Sequence, residues 1–160
     1  MTKKLFFITA LIGLILVGGL GFGYYTMKMN ANSFKGIALP VKGLDDELSK
    51  KWEEAFESAL KDEDLLKVIV DETNYAAELD VPAGEAVDHL KDAIRVRFVK
   101  RKDAIEIGLV GKRKQNEALA EISKVIYGKS QKVVAKSEPT FGEYRKIMTQ
   151  KAEENASEGR

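Results

Sequence analysis

The chain has 160 residues, no cysteine, and 26 lysines and arginines against 25 aspartates and glutamates, which gives a formal net charge of +1. The absence of cysteine excludes a disulfide scaffold, a thiol nucleophile and a thiolate metal site. The near-neutral balance excludes the bulk electrostatic attraction on which non-specific nucleic-acid binding depends. We therefore expect no nucleic-acid partner and one modest hydrophobic core.

Residues 5–25 form one apolar run of 21 residues in which Thr9 is the only clearly polar member. At about 1.5 Å per helical residue, the run spans a hydrocarbon core of about 30 Å. A cleaved signal peptide has a shorter apolar part and ends in small residues, whereas this run ends in two tyrosines. A buried core helix, the other alternative, normally keeps a polar stripe. We predict a cytoplasmic tail at residues 1–4 and an uncleaved transmembrane helix at residues 5–27.

The orientation of this helix depends on the cations that flank it. Two lysines precede the run and three follow it closely, so the count of cations decides nothing. The short tail resembles the retained end of a signal anchor, which favours the inner membrane, a cytoplasmic N-terminus and an extracytoplasmic main domain. Gly19 and Gly23 have the spacing that lets two membrane helices pack closely, and tolerated glycines in a single span explain them equally well.

Beyond the apolar run, residues 34–41 are compatible with a β-strand that Pro40 and Gly43 stop, so we predict an edge strand. The period then changes to that of amphipathic helices, the first opened by an acidic pair and the second capped by Asp62. Their expected apolar positions are Leu44, Leu48, Trp52, Ala55, Phe56 and Ala59, followed by Leu65, Leu66, Val68, Ile69 and Val70.

Asn74 and residues 79–82 break the second helix, and Pro82 suits the start of a short third one. The apolar face of this third helix is Ala86, Val87, Leu90 and Ala93. His89 is the only histidine in the chain and no cysteine is present, so neither residue type can supply it with a second metal ligand. We therefore expect a surface or boundary residue rather than a metal ligand or a catalytic base.

The clearest β signal comes from two runs in which apolar residues alternate with charged or small ones, which predicts an antiparallel hairpin with one apolar face. The apolar positions are Ile94, Val96, Phe98, Ile105, Ile107 and Leu109. On the other face we expect Glu106 near Arg95 or Arg97, where a cross-strand charge pair contributes about 0.2–1 kcal/mol. Gly111 is expected to end the second strand.

A helical pattern from Gln115 to Tyr127 predicts a long amphipathic helix that packs back on the sheet. Its apolar positions are Ala118, Leu119, Ile122, Val125 and Ile126. Residues 140–143 have the spacing of a capping box, which predicts a last short helix through Met148 before a disordered polar tail.

The predicted fold class is α/β in its α+β form, a short antiparallel sheet packed by amphipathic helices. We expect an extracytoplasmic α/β domain at residues 28–135, and the short helix and polar tail at residues 136–160.

Four segments carry a family resemblance: residues 62–70, 90–97, 103–108 and 117–127. In order and pattern they resemble the membrane-proximal domain of the polysaccharide co-polymerases, the Wzz-like chain-length determinants. That family has a first membrane span, an α/β domain, a strand with an Ile-Glu-Ile-like core and an alanine-rich helix. The chain differs because it has neither a second apolar run nor the phosphate-binding loop of a kinase domain. The resemblance therefore implies a reduced or accessory form.

The inventory of chemical groups offers no nucleophile, base or metal set, so we expect no enzyme, no cofactor and no metal. The acidic residues 62–64 are explained by their place at a helix N-terminus. The candidate contacts for an anionic ligand or partner are Arg95, Arg97, Lys100, Arg101, Lys102, Lys112, Arg113 and Lys114.

These cations form two clusters, because residues 100–102 crowd the hairpin tip whereas residues 112–114 lie about 20 Å away along the second strand. A solvated turn or contact with an anionic glycan or lipid headgroup explains the first cluster. The second cluster lies at a helix start, where cations oppose the helix dipole, which favours a ligand or partner.

These expectations combine into a non-catalytic, membrane-anchored protein that regulates polysaccharide chain length or export by oligomeric assembly with envelope components. The expected partners are the membrane, further copies or polysaccharide assembly proteins, and a glycan or lipid-linked glycan. The alternative is a generic single-pass membrane-tethered adaptor or scaffold of an unrelated envelope complex.

Overall fold

A computed structural model of the chain describes residues 24–41 and 43–158. Residues 24–30 are helical and are called α1. The other helices and strands are β1 (Asn32–Pro40), α2 (Asp46–Ala59), α3 (Glu63–Glu72), α4 (Tyr75–Leu79), α5 (Ala86–Ala93), β2 (Ile94–Val99), β3 (Ala104–Lys112), α6 (Asn116–Ser137) and α7 (Pro139–Glu158). Short 3-10 turns precede α5, β3 and α6, at Ala83–Glu85, Lys100–Lys102 and Arg113–Gln115.

The predicted cytoplasmic tail, most of the predicted transmembrane helix and both of its glycines, Gly19 and Gly23, lie outside the described residues. Only residues 24–27 of that span are described, as part of α1. Within residues 24–41 and 43–158, no helix has the length and apolar character needed to cross a membrane.

The strands form one antiparallel sheet in the order β1-β3-β2, with β3 in the centre. Ile107 of β3 lies opposite Ile37 of β1 and Val96 of β2. This arrangement confirms the predicted α+β class, the edge strand and the hairpin. β3 continues to Lys112, one residue further than predicted, because Asn32 of β1 extends the ladder by one more pair.

The core face of the sheet is the one that the alternation predicts. Ile105, Ile107 and Leu109 are all 0 % exposed. Helix α6 packs across β1 and β3, while α2 packs against β2. Because side chains alternate along a strand, Glu106 and Gly108 lie on the opposite face.

The predicted helix starts of α2 and α3 are confirmed by their caps. The Asp45 carboxylate accepts a hydrogen bond from Leu48 N at 2.6 Å, and the Asp62 carboxylate accepts from Asp64 N and Leu65 N at 2.9 and 3.1 Å. Each cap satisfies backbone donors that the first helical turn leaves free. The core positions of these helices follow the predicted stripe, and they are Trp52, Phe56, Ala59, Leu66 and Ile69. Val68 is an exception, because it lies on the outer side of α3 and is 47 % exposed.

The segment between α3 and α5 contains a short helix, α4, that the sequence analysis missed. The predicted breaks are present, because Asn74 and Asp80 adopt left-handed backbone conformations with φ of 49° and 56° on either side of α4. Tyr75 begins this helix and is fully buried. Pro82 precedes a 3-10 turn, so the predicted third helix begins only at Ala86.

The C-terminal prediction is wrong in four respects. Helix α6 extends ten residues beyond Tyr127, and α7 runs for 20 residues through the stretch predicted to be disordered. The proposed capping box does not form, since Pro139 takes the first helical position and Thr140 lies inside α7. A domain boundary at residue 135 is also incorrect, because Phe141 is 1 % exposed and belongs to the core.

An aromatic cluster holds α7 against α2. The Phe141 ring lies 5.2 Å from the rings of both Trp52 and Phe56 in edge-on geometry, and such pairs add about 0.5–1.5 kcal/mol beyond their buried area. Trp52 Nε1 also donates a hydrogen bond to Thr140 Oγ1 at 3.1 Å. The helix predicted as a separate appendage is therefore part of the domain.

Ile107→Ala is expected to lower the free energy of unfolding by about 2–5 kcal/mol, because it opens a cavity under the central strand. Equilibrium urea unfolding followed by the fluorescence of Trp52 measures this loss. Ile147→Ala is the matched control, since Ile147 is 51 % exposed and its truncation should change stability by less than about 0.5 kcal/mol. A loss below about 1 kcal/mol for Ile107→Ala would contradict the strand phase.

Candidate functional site

The structure places the two predicted basic clusters at opposite ends of the sheet. Lys100, Arg101 and Lys102 form the 3-10 turn between β2 and β3, which we call the hairpin tip. The other cluster begins at Lys112, where β3 lies opposite the first residue of β1. β3 spans eight residue steps between them, or about 26 Å.

Glu106 is the centre of an ion-pair cluster on the outer face of the sheet. Its carboxylate accepts hydrogen bonds from Arg97 Nε and Nη2 at 2.9 and 2.6 Å and from Lys102 Nζ at 2.7 Å. The Arg97 guanidinium also lies 4.7 Å from the centre of the Phe34 ring on β1, a cation–π distance. The cluster therefore joins all three strands to the hairpin tip.

This cluster confirms the expected cross-strand pair for Arg97 and not for Arg95. Arg95 lies opposite Gly108 in the register, so it has no carboxylate beside it on β3. Its guanidinium donates instead to the carbonyl oxygens of Asp92 and Ile94 at 2.7 and 2.6 Å. Arg95 therefore stabilises the backbone locally, where α5 ends and β2 begins.

Residue Glu106 is only 6 % exposed, so the charge of its carboxylate needs compensation from its neighbours. Hydrogen bonds from Lys102 and then Arg97 hold its pKa below the usual range, against the opposing effect of burial. Arg97 and Lys102, which were both predicted to contact a partner, therefore form ion pairs within the domain itself.

At the hairpin tip, Lys100 Nζ contacts an Asp46 carboxylate oxygen at 2.5 Å. The hydrogen bond to Asp46, followed by its negative charge, raises the pKa of Lys100. Both side chains are well exposed, and such pairs contribute little to stability. Arg101 is exposed and forms no ion pair with any residue of the described chain, so it is the free cation of the tip.

The other end of the sheet carries Lys112, Arg113 and Lys114, which we call the basic end. All three side chains are exposed, and among the side chains of residues 24–41, 43–148 and 150 no carboxylate lies within ion-pair distance of them. The backbone N–H of Arg113 donates to Ala31 O at 2.9 Å, so this cluster is joined directly to the residue that follows α1.

His89 lies at the surface, as predicted, and its Nδ1 atom is 2.9 Å from the Tyr75 hydroxyl. Burial raises the pKa of Tyr75, so the hydroxyl keeps its proton and can donate to the imidazole. His89 borders a cleft of about 440 Å³ that is also lined by Asp80, Asp92 and Arg95. In the part of the chain that the structure describes, no three His, Asp or Glu side chains are arranged to hold a metal ion.

Compared with known proteins, the chain matches no family model, no curated protein and no solved structure. The resemblance to chain-length determinants stays a prediction.

Two features of the basic surfaces were missed by the sequence analysis. Phe34 was assigned only to an edge strand, although it supports Arg97, and the contact of Arg113 with Ala31 was not foreseen. Both depend on the pairing of β1 with β3, whose partners are about 75 residues apart in sequence. These two contacts can be predicted only when the register between the strands is known. The alternation of apolar and polar residues does not fix that register, because a shift of two residues leaves the alternation unchanged.

Glu106→Gln is expected to lower the free energy of unfolding by about 1–2 kcal/mol at neutral pH, because two cations lose their charged acceptor. Since the pKa of Glu106 is lowered in the folded state, the stabilisation is complete above its usual pKa of 4.5 and is lost as the pH falls through the lowered value. The stability gap between wild type and variant should narrow in acid when measured by urea unfolding. Glu121→Gln removes an exposed ion pair with Lys124 and is the control. A difference in unfolding free energy that stays constant into strong acid would contradict the lowered pKa of Glu106.

Proposed function

We propose that the chain is a membrane-tethered protein that works by binding and assembly, with residues 5–27 as its anchor. The observation that carries this proposal is the way α1 enters the domain. Tyr24, Tyr25 and Met27 are 71 %, 59 % and 78 % exposed, so they are not used by the core. Tyrosines beside an apolar run are typical of the membrane interface, and α1 leads within two residues into β1.

We propose polysaccharide chain-length regulation or export as the process that this assembly serves. The support is the resemblance in residues 62–127, together with the order of elements that the structure gives to that region: helices, a β-hairpin and a long alanine-containing helix. Under this proposal the domain catalyses no reaction. It acts by forming homo-oligomers, or mixed oligomers with polysaccharide assembly proteins, at the inner membrane.

A generic membrane-tethered adaptor is the second candidate, and α7 favours it. This 20-residue helix has a mainly polar sequence, yet Ile147 and Met148 are 51 % and 42 % exposed. Exposed apolar side chains on a polar helix are typical of a helix that docks into a partner's groove. Such a contact requires no glycan.

The tether predicts that the mature protein keeps its N-terminus and stays in the membrane fraction after an alkaline carbonate wash. The physical reason is that 21 apolar residues hold the chain by the hydrophobic effect, which alkaline pH does not weaken. Fractionation followed by N-terminal mass spectrometry measures both properties. Recovery of a soluble chain that begins near Asn32 would contradict the tether.

Assembly in polysaccharide export predicts that deletion of the gene changes the length distribution or the amount of a surface polysaccharide. Cross-linking in membranes should give homo-oligomers or mixed oligomers. Gly19→Leu combined with Gly23→Leu should weaken them, because leucine prevents close helix packing.

Arg101→Glu tests the hairpin tip without breaking an ion pair, and Lys100→Gln is its comparison. Unchanged polysaccharide in the deletion strain, with a cross-linked unrelated partner, would favour the adaptor.

A further inference from the structure

The basic end lies beside the segment that leads to the apolar run. Lys112 is opposite Asn32 at the first pair of the β1–β3 ladder, and the next residue, Arg113, donates its backbone N–H to Ala31 O. Helix α1 immediately precedes Ala31. The fold therefore brings together cations from position 112 onward and the chain that emerges from the proposed anchor, although about 80 residues separate them in sequence.

These cations are not explained by the stability of the domain. Lys100, Lys102 and Arg97 each contact a carboxylate, whereas Lys112, Arg113 and Lys114 contact none among the described residues. They also precede α6, where positive charge opposes the helix dipole. Acidic groups do occur nearby, because Asp80, Glu85 and Asp92 line the cleft that contains Lys112, but all of them are beyond ion-pair distance of the three cations.

The neighbouring helix adds the second feature of a membrane-facing surface. In α1 the side chains of Tyr24, Tyr25 and Met27 are exposed, and Lys28 beside them is exposed too. Aromatic rings favour the headgroup level of a bilayer, while lysines near a membrane surface are attracted to anionic lipids. One end of the molecule therefore presents both kinds of group.

We propose that the basic end, together with Lys28, binds the anionic headgroups of the leaflet from which the chain emerges. This proposal rests on the proposed membrane tether and adds the lipid class that the domain contacts. Each Lys or Arg near an anionic surface contributes on the order of fivefold in affinity, so the four cations together contribute about six hundredfold. The hairpin tip is then up to about 26 Å further from the lipid surface than the basic end is.

The test uses the full chain in vesicles of phosphatidylcholine alone or of phosphatidylcholine mixed with phosphatidylglycerol. The rate at which each lysine is acetylated by a water-soluble reagent is followed by mass spectrometry. Lys28, Lys112 and Lys114 should react on the order of fivefold more slowly in the anionic vesicles, and high salt should remove the difference. Lys100 and Lys102 are internal controls whose rates should be the same in both vesicles.

Equal rates for Lys112 and Lys114 in the two kinds of vesicle would overturn the proposal. Equal slowing of the tip lysines would also overturn it, because the surface potential would then act without preference for the basic end. Protection by inorganic phosphate in neutral vesicles would assign the cluster to a soluble anion instead of lipid. Failure of the tether is distinguishable, because the chain would then not float with phosphatidylcholine vesicles at all.

Discussion

Strand β3 is paired on both sides, so its register decides where every other feature of the sheet lies. The register is held most tightly at Gly108, which faces Gly36 of β1. A Cβ atom added at Gly108 would overlap the Lys35 carbonyl oxygen and the Gly36 backbone, and the Phe34 ring covers Gly36. Two facing glycines, one of them under an aromatic ring, allow the strands to approach closely. A slip of one residue would expose Ile107 and bury its charged neighbour Glu106.

The same register determines which cations form ion pairs within the domain and which do not. Glu106 sits where Arg97 and Lys102 can both reach it, because Arg97 is its cross-strand partner and Lys102 lies four residues before it in the hairpin. Beyond Gly108, towards the basic end, β3 has no carboxylate to pair with a cation. A sequence with 26 basic and 25 acidic residues thus acquires one end whose cations have no ion-pair partner among the described residues.

The sequence was informative where local patterns settle the structure. The alternation of apolar residues predicted the hairpin and which of its faces is buried. The cap of α3 was predicted from Asp62, and the start of α2 was predicted from its acidic pair. It failed where tertiary contacts decide. Polar composition suggested a short last helix followed by a disordered tail. Helix α7 instead continues to Glu158, and Phe141 near its start packs against both Trp52 and Phe56. The sequence alone also did not show which cations form ion pairs and which do not, because that depends on the register of the strands.

Helix α7 is attached at the end of the sheet opposite the basic end, so the two ends of the domain carry different surfaces. The Tyr144 hydroxyl donates to Pro40 O at 2.6 Å, and Pro40 pairs with Ala104 beside the hairpin tip. If α1 marks the lipid side, the exposed Ile147 and Met148 of α7 are carried by the end of the domain that is remote from lipid. Contacts with lipid and with protein would then use opposite ends, so one copy could engage both without competition. A rigid sheet about 26 Å long is what keeps these two surfaces apart.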